Sequence, residues 1–435
     1  MPRTFLTGAR LAVWLSGMVI GPMIFAQAPV PPLHGVAGHD RQTEFTVEQL
    51  THIVLAHNPA LRAARSSLDG ARAGVNTAAA FANPRLEWQQ GRWQPLVAAR
   101  QQVSGWSLAQ PIENPVARSA RIEAARSGEQ LSEQQLAGTR NDLVAQVHSR
   151  AYEALLYQSE AESAAEALLL LEQVRERVRV RVETGEAARY EIIKADAEVI
   201  HARERQKTAA LQAEQSLLEL NRLAAGQLPT RWKLAGSLSD GRDLPSLTQL
   251  QSQAERLNPE LGALRHELDR AQAKAKAARS SRWPGVELRY SENREPDVKL
   301  SMWGVGIQLP LLDQRSGPIA EAQAEVERVR IRLEGRQNEL SQQILLAWRA
   351  LDIARLRVES LSQGVLREAE SALRVAEAAY RFGERGILDV LDAQRVLRGV
   401  RADLLQARFQ LQTARISLEQ LSGRYVSDLS IQDQR

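Results

Sequence analysis

The stretch Arg381–Gln394 reads RFGERGILDVLDAQ and interrupts a long helical pattern with two glycines, Gly383 and Gly386. Apolar residues recur at every seventh position before it, at Ile344, Leu351, Val358, Val365, Ala372 and Ala379. After it they recur in two interleaved stripes, Val390, Leu397, Leu404, Leu411 and Leu418 with Ala393, Val400, Ala407, Ala414 and Leu421. Apolar heptads of this length are typical of coiled coils. We therefore predict a long antiparallel helical hairpin with its tip at about residues 382–387.

A second stretch, Glu183–Glu198, reads ETGEAARYEIIKADAE and matches the first about 198 residues earlier in the chain. Matched positions include Gly185 with Gly383, Glu191 with Asp389, Asn58-Pro59 with Asn258-Pro259, and Pro84 with Pro284. Self-similarity at a fixed period indicates a tandem duplication. We predict a first repeat at 46–226 with its tip at about 183–187, a connector at 227–245, a second repeat at 246–422 and a polar tail at 423–435.

Each repeat also contains one pair of strand-like segments, at about 84–111 and about 284–310. In the second pair Val286, Leu288 and Tyr290 alternate with charged residues. Each strand has roughly ten residues, which is the length of a tilted transmembrane strand, and the Trp and Tyr residues suit an interfacial belt. A soluble hairpin packed on helices explains the strands equally well, so the strands alone leave both interpretations open.

The composition argues against several functional classes. The chain has 56 Lys and Arg against 52 Asp and Glu, and no segment concentrates the basic residues as a nucleic-acid-binding surface would. We find no nucleophile elbow, phosphate-binding loop or zinc-protease motif. We therefore predict a protein that is not an enzyme, needs no cofactor, has no metal site and does not bind nucleic acid.

The N-terminus has the features of an export signal. Arg3 and Arg10 precede the apolar run Leu11–Phe25, and Ala26-Gln27-Ala28 fits a cleavage site. We predict a signal peptide at 1–28, followed by a flexible leader at 29–45 whose residues His34 and His39 are solvated rather than metal-bound. A buried N-terminal helix is the alternative. The chain has no cysteine, so we expect neither disulfides nor a lipidated N-terminal cysteine.

The strand count predicts an assembly of several chains. One chain supplies four candidate membrane strands, which cannot close a barrel, and an open sheet edge is not tolerated in lipid. Three chains would supply twelve, an even number within the range of outer-membrane barrels. We therefore predict a mainly α-helical fold with a small β part, in which a homotrimer forms a 12-stranded β-barrel and the helical hairpins form a tube below it.

The chain resembles the TolC-type outer-membrane efflux channels. The resemblance rests on the duplication, the strand pairs, the long helices and the DVLDA sequence at 389–393, with Tyr380, Gly383 and Arg385 at the family's spacing. It implies a homotrimer in the outer membrane whose β-barrel continues into an α-helical barrel in the periplasm. It also implies docking to a periplasmic adaptor and an inner-membrane pump, which we expect to be of the resistance-nodulation-division type.

Within that family, the compact length and the segment Asn83–Trp88 (NPRLEW) are most similar to the CzcC-like branch that serves heavy-metal efflux. The segment Pro111–Ser119 (PIENPVARS) departs from that branch, which often has Gly-Lys-Arg there. Heavy-metal export is therefore the preferred function, with drug efflux or type I secretion as alternatives. An alternative of another class is a periplasmic coiled-coil adaptor or scaffold, although adaptors typically carry one hairpin between β-rich halves.

The resemblance also assigns roles to residues near the second tip. It places Asp389 and Asp392, with Glu191 from the first repeat, at the closed periplasmic aperture, and it gives Tyr380 and Arg385 contacts that hold neighbouring helices together. Residues three apart share one face of a helix, so a trimer would stack two rings of carboxylates that attract cations. The alternative is an ordinary solvated helix face.

The two tips are the candidate surface for docking to the adaptor. The residues concerned are Val182, Gly185, Phe382, Gly383 and Gly386. The simpler interpretation is that the glycines only terminate helices as C-caps. Both interpretations can hold, because an exposed tip needs a turn in any case.

Overall fold

The computed structural model describes residues 43–93, 101–239, 243–295 and 297–426. The predicted signal peptide at 1–28, the leader as far as residue 42 with His34 and His39, and the tail from residue 427 lie outside the described residues. No helix in the described ranges combines the length and the apolar content that a membrane crossing requires.

The same order of elements occurs twice. The first repeat contains α1 Val47–His57, α2 Pro59–Ala79, β2 Arg85–Trp93, β3 Gln101–Ile112, α3 Pro115–Glu183 and α4 Arg189–Leu223. The second contains α5 Leu247–Leu257, α6 Pro259–Ser280, β5 Gly285–Arg294, β6 Lys299–Gln308, α7 Ser316–Ser360, α8 Leu366–Arg381 and α9 Ile387–Leu421. Helix α3 has 69 residues, which at 1.5 Å per residue is about 100 Å.

An Asn-Pro pair ties the two ends of each repeat together. Asn58 and Asn258 are both buried, and the side-chain oxygen of each caps the helix that follows. The side-chain amide of Asn58 donates to the carbonyl of Leu223 at 3.0 Å, and that of Asn258 donates to the carbonyl of Leu421 at 3.0 Å. Each asparagine thus joins the start of one helix to the end of the repeat's last helix.

The apolar stripe after the second tip is confirmed, with Val390, Leu397, Leu404 and Leu418 buried. The stripe before the tip is displaced by one residue, so the prediction for Val365 and Ala372 was wrong, and both are exposed. The cause is a π-helical turn at Leu361–Val365, in which the backbone N–H of Leu366 donates to the carbonyl of Leu361. One extra residue in the turn moves the packed positions to Leu366, Leu373 and Tyr380.

Four antiparallel strands form one sheet in the order β2-β3-β5-β6, so the central contact joins the two repeats. Directly paired residues share a face, and one face is apolar: Leu86, Trp88, Trp106, Leu108, Ile112, Val286, Leu288, Tyr290, Trp303, Val305 and Ile307. The opposite face is mostly polar and includes Arg85, Glu87, Gln89, Ser107, Glu287, Arg289, Ser291 and Asn293.

Two segments expected to be irregular are ordered. Thr43–Phe45, the end of the predicted flexible leader, forms β1 and pairs in parallel with β4, Trp232–Leu234, in the connector. The rings of Phe45 and Trp232 meet edge to face at 5.8 Å, so the pairing buries apolar surface that composition alone did not reveal. At the start of the predicted tail, Tyr425 is buried and packs against His148 at 5.1 Å.

Candidate functional site at the hairpin tips

Both hairpin tips close with the same hydrogen-bonded turn. At the second tip, the N–H of Glu384 donates to the carbonyl of Ala379 at 2.9 Å, and that of Gly383 to Tyr380 at 3.1 Å. This pair of bonds is a Schellman motif, which requires a left-handed residue that glycine adopts without strain. The first tip repeats it, with Glu186 donating to Arg181 at 2.8 Å and Gly185 to Val182 at 3.2 Å.

The two glycines are needed for their backbone conformation and not for space. Gly185 and Gly383 have φ values of 82° and 75°, and a Cβ atom at either position would meet nothing within 4 Å. Gly386 instead precedes α9 as its N-cap, with extended backbone angles. Gly185 and Gly383 therefore do terminate helices, as the simpler interpretation held, whereas Gly386 begins one, and both turns remain open to solvent.

Four of the five predicted docking residues are exposed. Phe382 is 82% exposed, which is unusual for a large apolar side chain, and the three tip glycines are also exposed. Val182 is the exception, because it is half-buried and packs on the apolar cluster that joins α3, α4, α8 and α9 beneath the tips. A cavity of about 770 Å³ opens between the tips, lined by Arg181, Tyr380 and Phe382.

The two candidate aperture carboxylates each pair with an arginine of their own segment. Asp389 lies 3.8 Å from Arg385, four residues earlier, and Asp392 lies 3.2 Å from Arg395, three residues later. All four side chains are well exposed, so these pairs contribute little to stability. Within one chain Arg385 thus pairs along its own segment and not with a neighbouring helix. Its predicted bridging role stays a prediction for contacts between chains.

Tyr380 and Glu191 are less exposed than the aspartates. The guanidinium of Arg181, on α3, lies 4.7 Å from the ring centre of Tyr380, on α8, so this tyrosine contacts a neighbouring helix. Among the described residues, neither the hydroxyl of Tyr380 nor Oε2 of Glu191 has a hydrogen-bond partner, although both atoms are buried. Glu191 lies in the first turn of α4.

Sequence reasoning missed a charged cluster that joins the two repeats beside the candidate aperture residues. Glu198, on α4, accepts a hydrogen bond from Arg395, on α9, at 2.9 Å and lies 3.5 Å from Arg398. Burial raises the pKa of Glu198, but the two arginines outweigh burial and hold that pKa below its ordinary value. Arg395 also pairs with Asp392, so the cluster connects this candidate aperture carboxylate to α4.

The repeat alignment contained a signal for this cluster. Glu198 and Arg395 are 197 residues apart, almost the repeat distance, so they lie at equivalent heights on the two helices that leave the tips. Opposite charges at equivalent heights of duplicated helices are candidates for a bridge between repeats. The described residues contain no group of three His, Asp or Glu side chains that could hold a metal ion.

Comparisons with known proteins agree on one family. The profile of the outer membrane efflux protein family matches residues 50–226 and 250–424. The chain is 28% identical over 384 residues to the cobalt-zinc-cadmium resistance protein CzcC of Cupriavidus metallidurans, covering 87% of this chain and 90% of that protein. It is 27% identical over 271 residues to the outer membrane efflux protein BepC of Brucella suis, covering 59% and 58%.

The fold is likewise that of a solved channel. The open-state structure of the MtrE outer membrane channel of Neisseria gonorrhoeae superposes with a TM-score of 0.75 at 19% identity, covering 87% of this chain and 88% of that one. The resemblance inferred from the duplication, the strand pairs and the tip sequence is confirmed. The chain belongs to the outer membrane efflux protein family.

Proposed function

We propose that this efflux channel works as a homotrimer, the exit duct of a tripartite efflux system that carries heavy-metal cations across the outer membrane. The observation that carries the proposal is the four-stranded sheet, which has one apolar face, one polar face and two edges, β2 and β6, that pair with no other described strand. A sheet of this kind needs an apolar environment on one side and further strands at both edges.

The apolar face suits contact with lipid. Trp303 is 83% exposed, and Val305 and Ile307 on the same strand are 63% and 58% exposed. Aromatic rings run across the sheet from Trp106 through Tyr290 to Trp303, with ring centres 5.2 and 4.8 Å apart. Such rows of aromatic residues border the apolar band of outer-membrane barrels, while the polar face suits a water-filled lumen.

The edges suit closure by three chains. Consecutive strands in the sheet are antiparallel, so the two edge strands run in opposite directions. Strand β6 of one chain can therefore pair antiparallel with β2 of the next. Three chains of four strands give twelve, which is within the range of closed outer-membrane barrels.

The opposite end of the molecule suits docking and gating. The exposed tips that contain Phe382, Gly383 and Gly185 are proposed to contact a periplasmic adaptor, which links the channel to an inner-membrane pump of the resistance-nodulation-division type. Asp389, Asp392 and Glu191 are proposed to line the aperture, where three copies of each would attract cations. Export by cleavage after Ala28, without lipidation, belongs to the same proposal.

Heavy-metal cations are the proposed cargo because the relative that matches along 87% of this chain is named for cobalt, zinc and cadmium resistance. General efflux is the second candidate, since BepC matches over 59% of the chain. The test is deletion of the coding gene, followed by measurement of cell-associated cobalt, zinc and cadmium and of tolerance to a panel of drugs. Increased metal content, reversed by the restored gene, supports the proposal. Unchanged metal content with lost drug tolerance would favour general efflux.

A further inference from the structure

We propose that the phosphate of a phospholipid headgroup binds in a basic cavity where the sheet meets the helices. The proposal rests on the membrane location proposed above. The cavity has a volume of about 660 Å³ and lies between the end of β3, the start of α3 and the middle of α6. Its charged lining consists of Glu113, Arg118, Arg121, Arg270 and Lys274.

The lining has an excess of positive charge. Arg121 is held by Glu113, with its two terminal nitrogens 2.7 and 2.9 Å from the two carboxylate oxygens. Arg118 donates to a backbone carbonyl at the end of α2, and its charge also helps to lower the pKa of Glu113, to which it makes no hydrogen bond. Arg270 and Lys274 lie one turn apart on α6, and neither forms a hydrogen bond or an ion pair with any described residue. Four cations therefore face one carboxylate.

One acidic side chain on α7 competes weakly for this charge. The pKa of Glu325 is lowered mainly by its hydrogen bond to Arg328, and Lys274 is the last of the positive charges that contribute. Because Glu325 is already bonded to Arg328, Lys274 remains available for an anion. A helix N-terminus adds to the attraction, since Asn114, the N-cap of the 69-residue helix α3, also lines the cavity.

The position of the cavity favours a lipid over a free anion. Ile112 lines the cavity and belongs to the apolar face of the sheet, so the cavity opens at the helical end of that face. Phe81, with Arg118 stacked 4.2 Å from its ring centre, and Trp283 are 71% and 70% exposed at the starts of the two strand pairs. Exposed aromatic rings beside basic side chains mark the depth of lipid headgroups.

The chemistry of the lining fits a phosphodiester. Guanidinium groups can donate two parallel hydrogen bonds to phosphate oxygens, and an ammonium group supplies a compact charge beside them. The acyl chains of a bound phospholipid would then run along Ile112 and Val286 on the apolar face. Inorganic phosphate has no acyl chains to contact that face, so an experiment can distinguish a site for phospholipid from a site for free phosphate.

The experiment uses the full-length protein purified from outer membranes in mild detergent. Native mass spectrometry would count retained phospholipid, and titration with short-chain phosphatidylglycerol would measure affinity. Replacing Arg270→Ala together with Lys274→Ala should lower the affinity about 30-fold, since each basic residue near an anionic surface contributes about 1 kcal/mol. The control, Lys207→Ala with Arg355→Ala, removes two exposed cations that form no ion pair with any described residue and do not line the cavity, so this variant should bind as wild type does.

Equal affinity in the double variant and the control would overturn the proposal. So would competition by inorganic phosphate at the same concentration as the lipid, because that result identifies a site for free anions. If the double variant is poorly folded, Lys274→Gln alone should still weaken binding about fivefold. Protein that is absent from the outer-membrane fraction would refute the proposed function instead, so the two failures are distinguishable.

Discussion

The charged cluster at Glu198 predicts a measurable loosening of the tip when its carboxylate is removed. In Glu198→Gln, Arg395 still forms its ion pair with Asp392. Arg398 loses the carboxylate of Glu198 and remains near another arginine, Arg205. The side chains of Glu198 and Arg398 are only 18% and 21% exposed, so their pair is poorly screened, whereas Arg395 is 60% exposed and contributes little. We expect a loss of about 2 kcal/mol in the free energy that holds α4 against α9.

Hydrogen exchange measured by mass spectrometry would report this change directly. A loss of about 2 kcal/mol should make amide exchange about 30-fold faster in residues 189–200 and 387–400. The control Glu176→Gln removes a carboxylate that pairs with Arg179 within α3 and bridges no helices, so exchange should stay as in wild type. Equal exchange in wild type and Glu198→Gln would refute a holding role for the cluster.

The same cluster should depend on pH in a defined direction. Because the pKa of Glu198 lies below its ordinary value of 4.5, its stabilising contribution is present above that value and disappears as the pH falls through the lowered pKa. The difference in exchange between wild type and Glu198→Gln should therefore persist at neutral pH and vanish in acid. A difference that grew as the pH fell would contradict the assignment.

Three further changes test other parts of the account. Gly383→Pro should abolish efflux but leave the trimer in the outer membrane, since proline can neither adopt φ 75° nor donate a hydrogen bond to the carbonyl of Tyr380. The control is Gly317→Pro, in the first turn of α7. Normal metal tolerance in Gly383→Pro would count against docking at the tip. Asp389→Ala with Asp392→Ala should weaken the block of single-channel current by periplasmic divalent cations. The reason is that like charges ~6 Å apart repel by roughly 3 kcal/mol at an effective dielectric of about 20. Block as strong as in wild type would show that these residues belong to an ordinary solvated helix face. Deleting Gly364 from the π-helical turn should preserve the yield of trimer. Deleting Ala372 should instead rotate the packed face of α8 by about 100° and lower the yield of trimer. Equal yields would show that the extra residue does not set the register of the packed positions.

Local sequence signals predicted much of this fold because they act through short-range geometry. The heptad stripes located the long helices, the glycines located both tips, and strand alternation with Trp and Tyr located the strand pairs. The repeat was visible because Asn58 and Asn258 make the same buried contacts in both halves. The confirmed family resemblance rests on these features.

The remaining features depend on contacts between distant parts of the chain. The only Gly or Pro in the π-helical turn is Gly364, and an isolated glycine inside a helical pattern does not reveal an inserted residue, so Val365 and Ala372 were wrongly placed. The ring contact between Phe45 and Trp232 depends on a strand pairing that joins residues 189 apart in the sequence, such as Phe45 and Leu234. The Glu198 cluster needs α4 and α9 side by side, which no single helix reveals.

Closure of the sheet by three copies can be tested by cross-linking between chains. The sequence has no cysteine, so introduced pairs have no background. Gln89→Cys on β2 would be combined in turn with cysteine at Met302, Gly304 or Gly306, which lie on the same polar face of β6. A disulfide requires Cα atoms within about 7 Å, so only paired edges can react. For at least one pair, we expect covalent products that end at three chains. Products that end at two or extend beyond three chains, or no product from any pair in outer-membrane protein, would contradict closure by three copies.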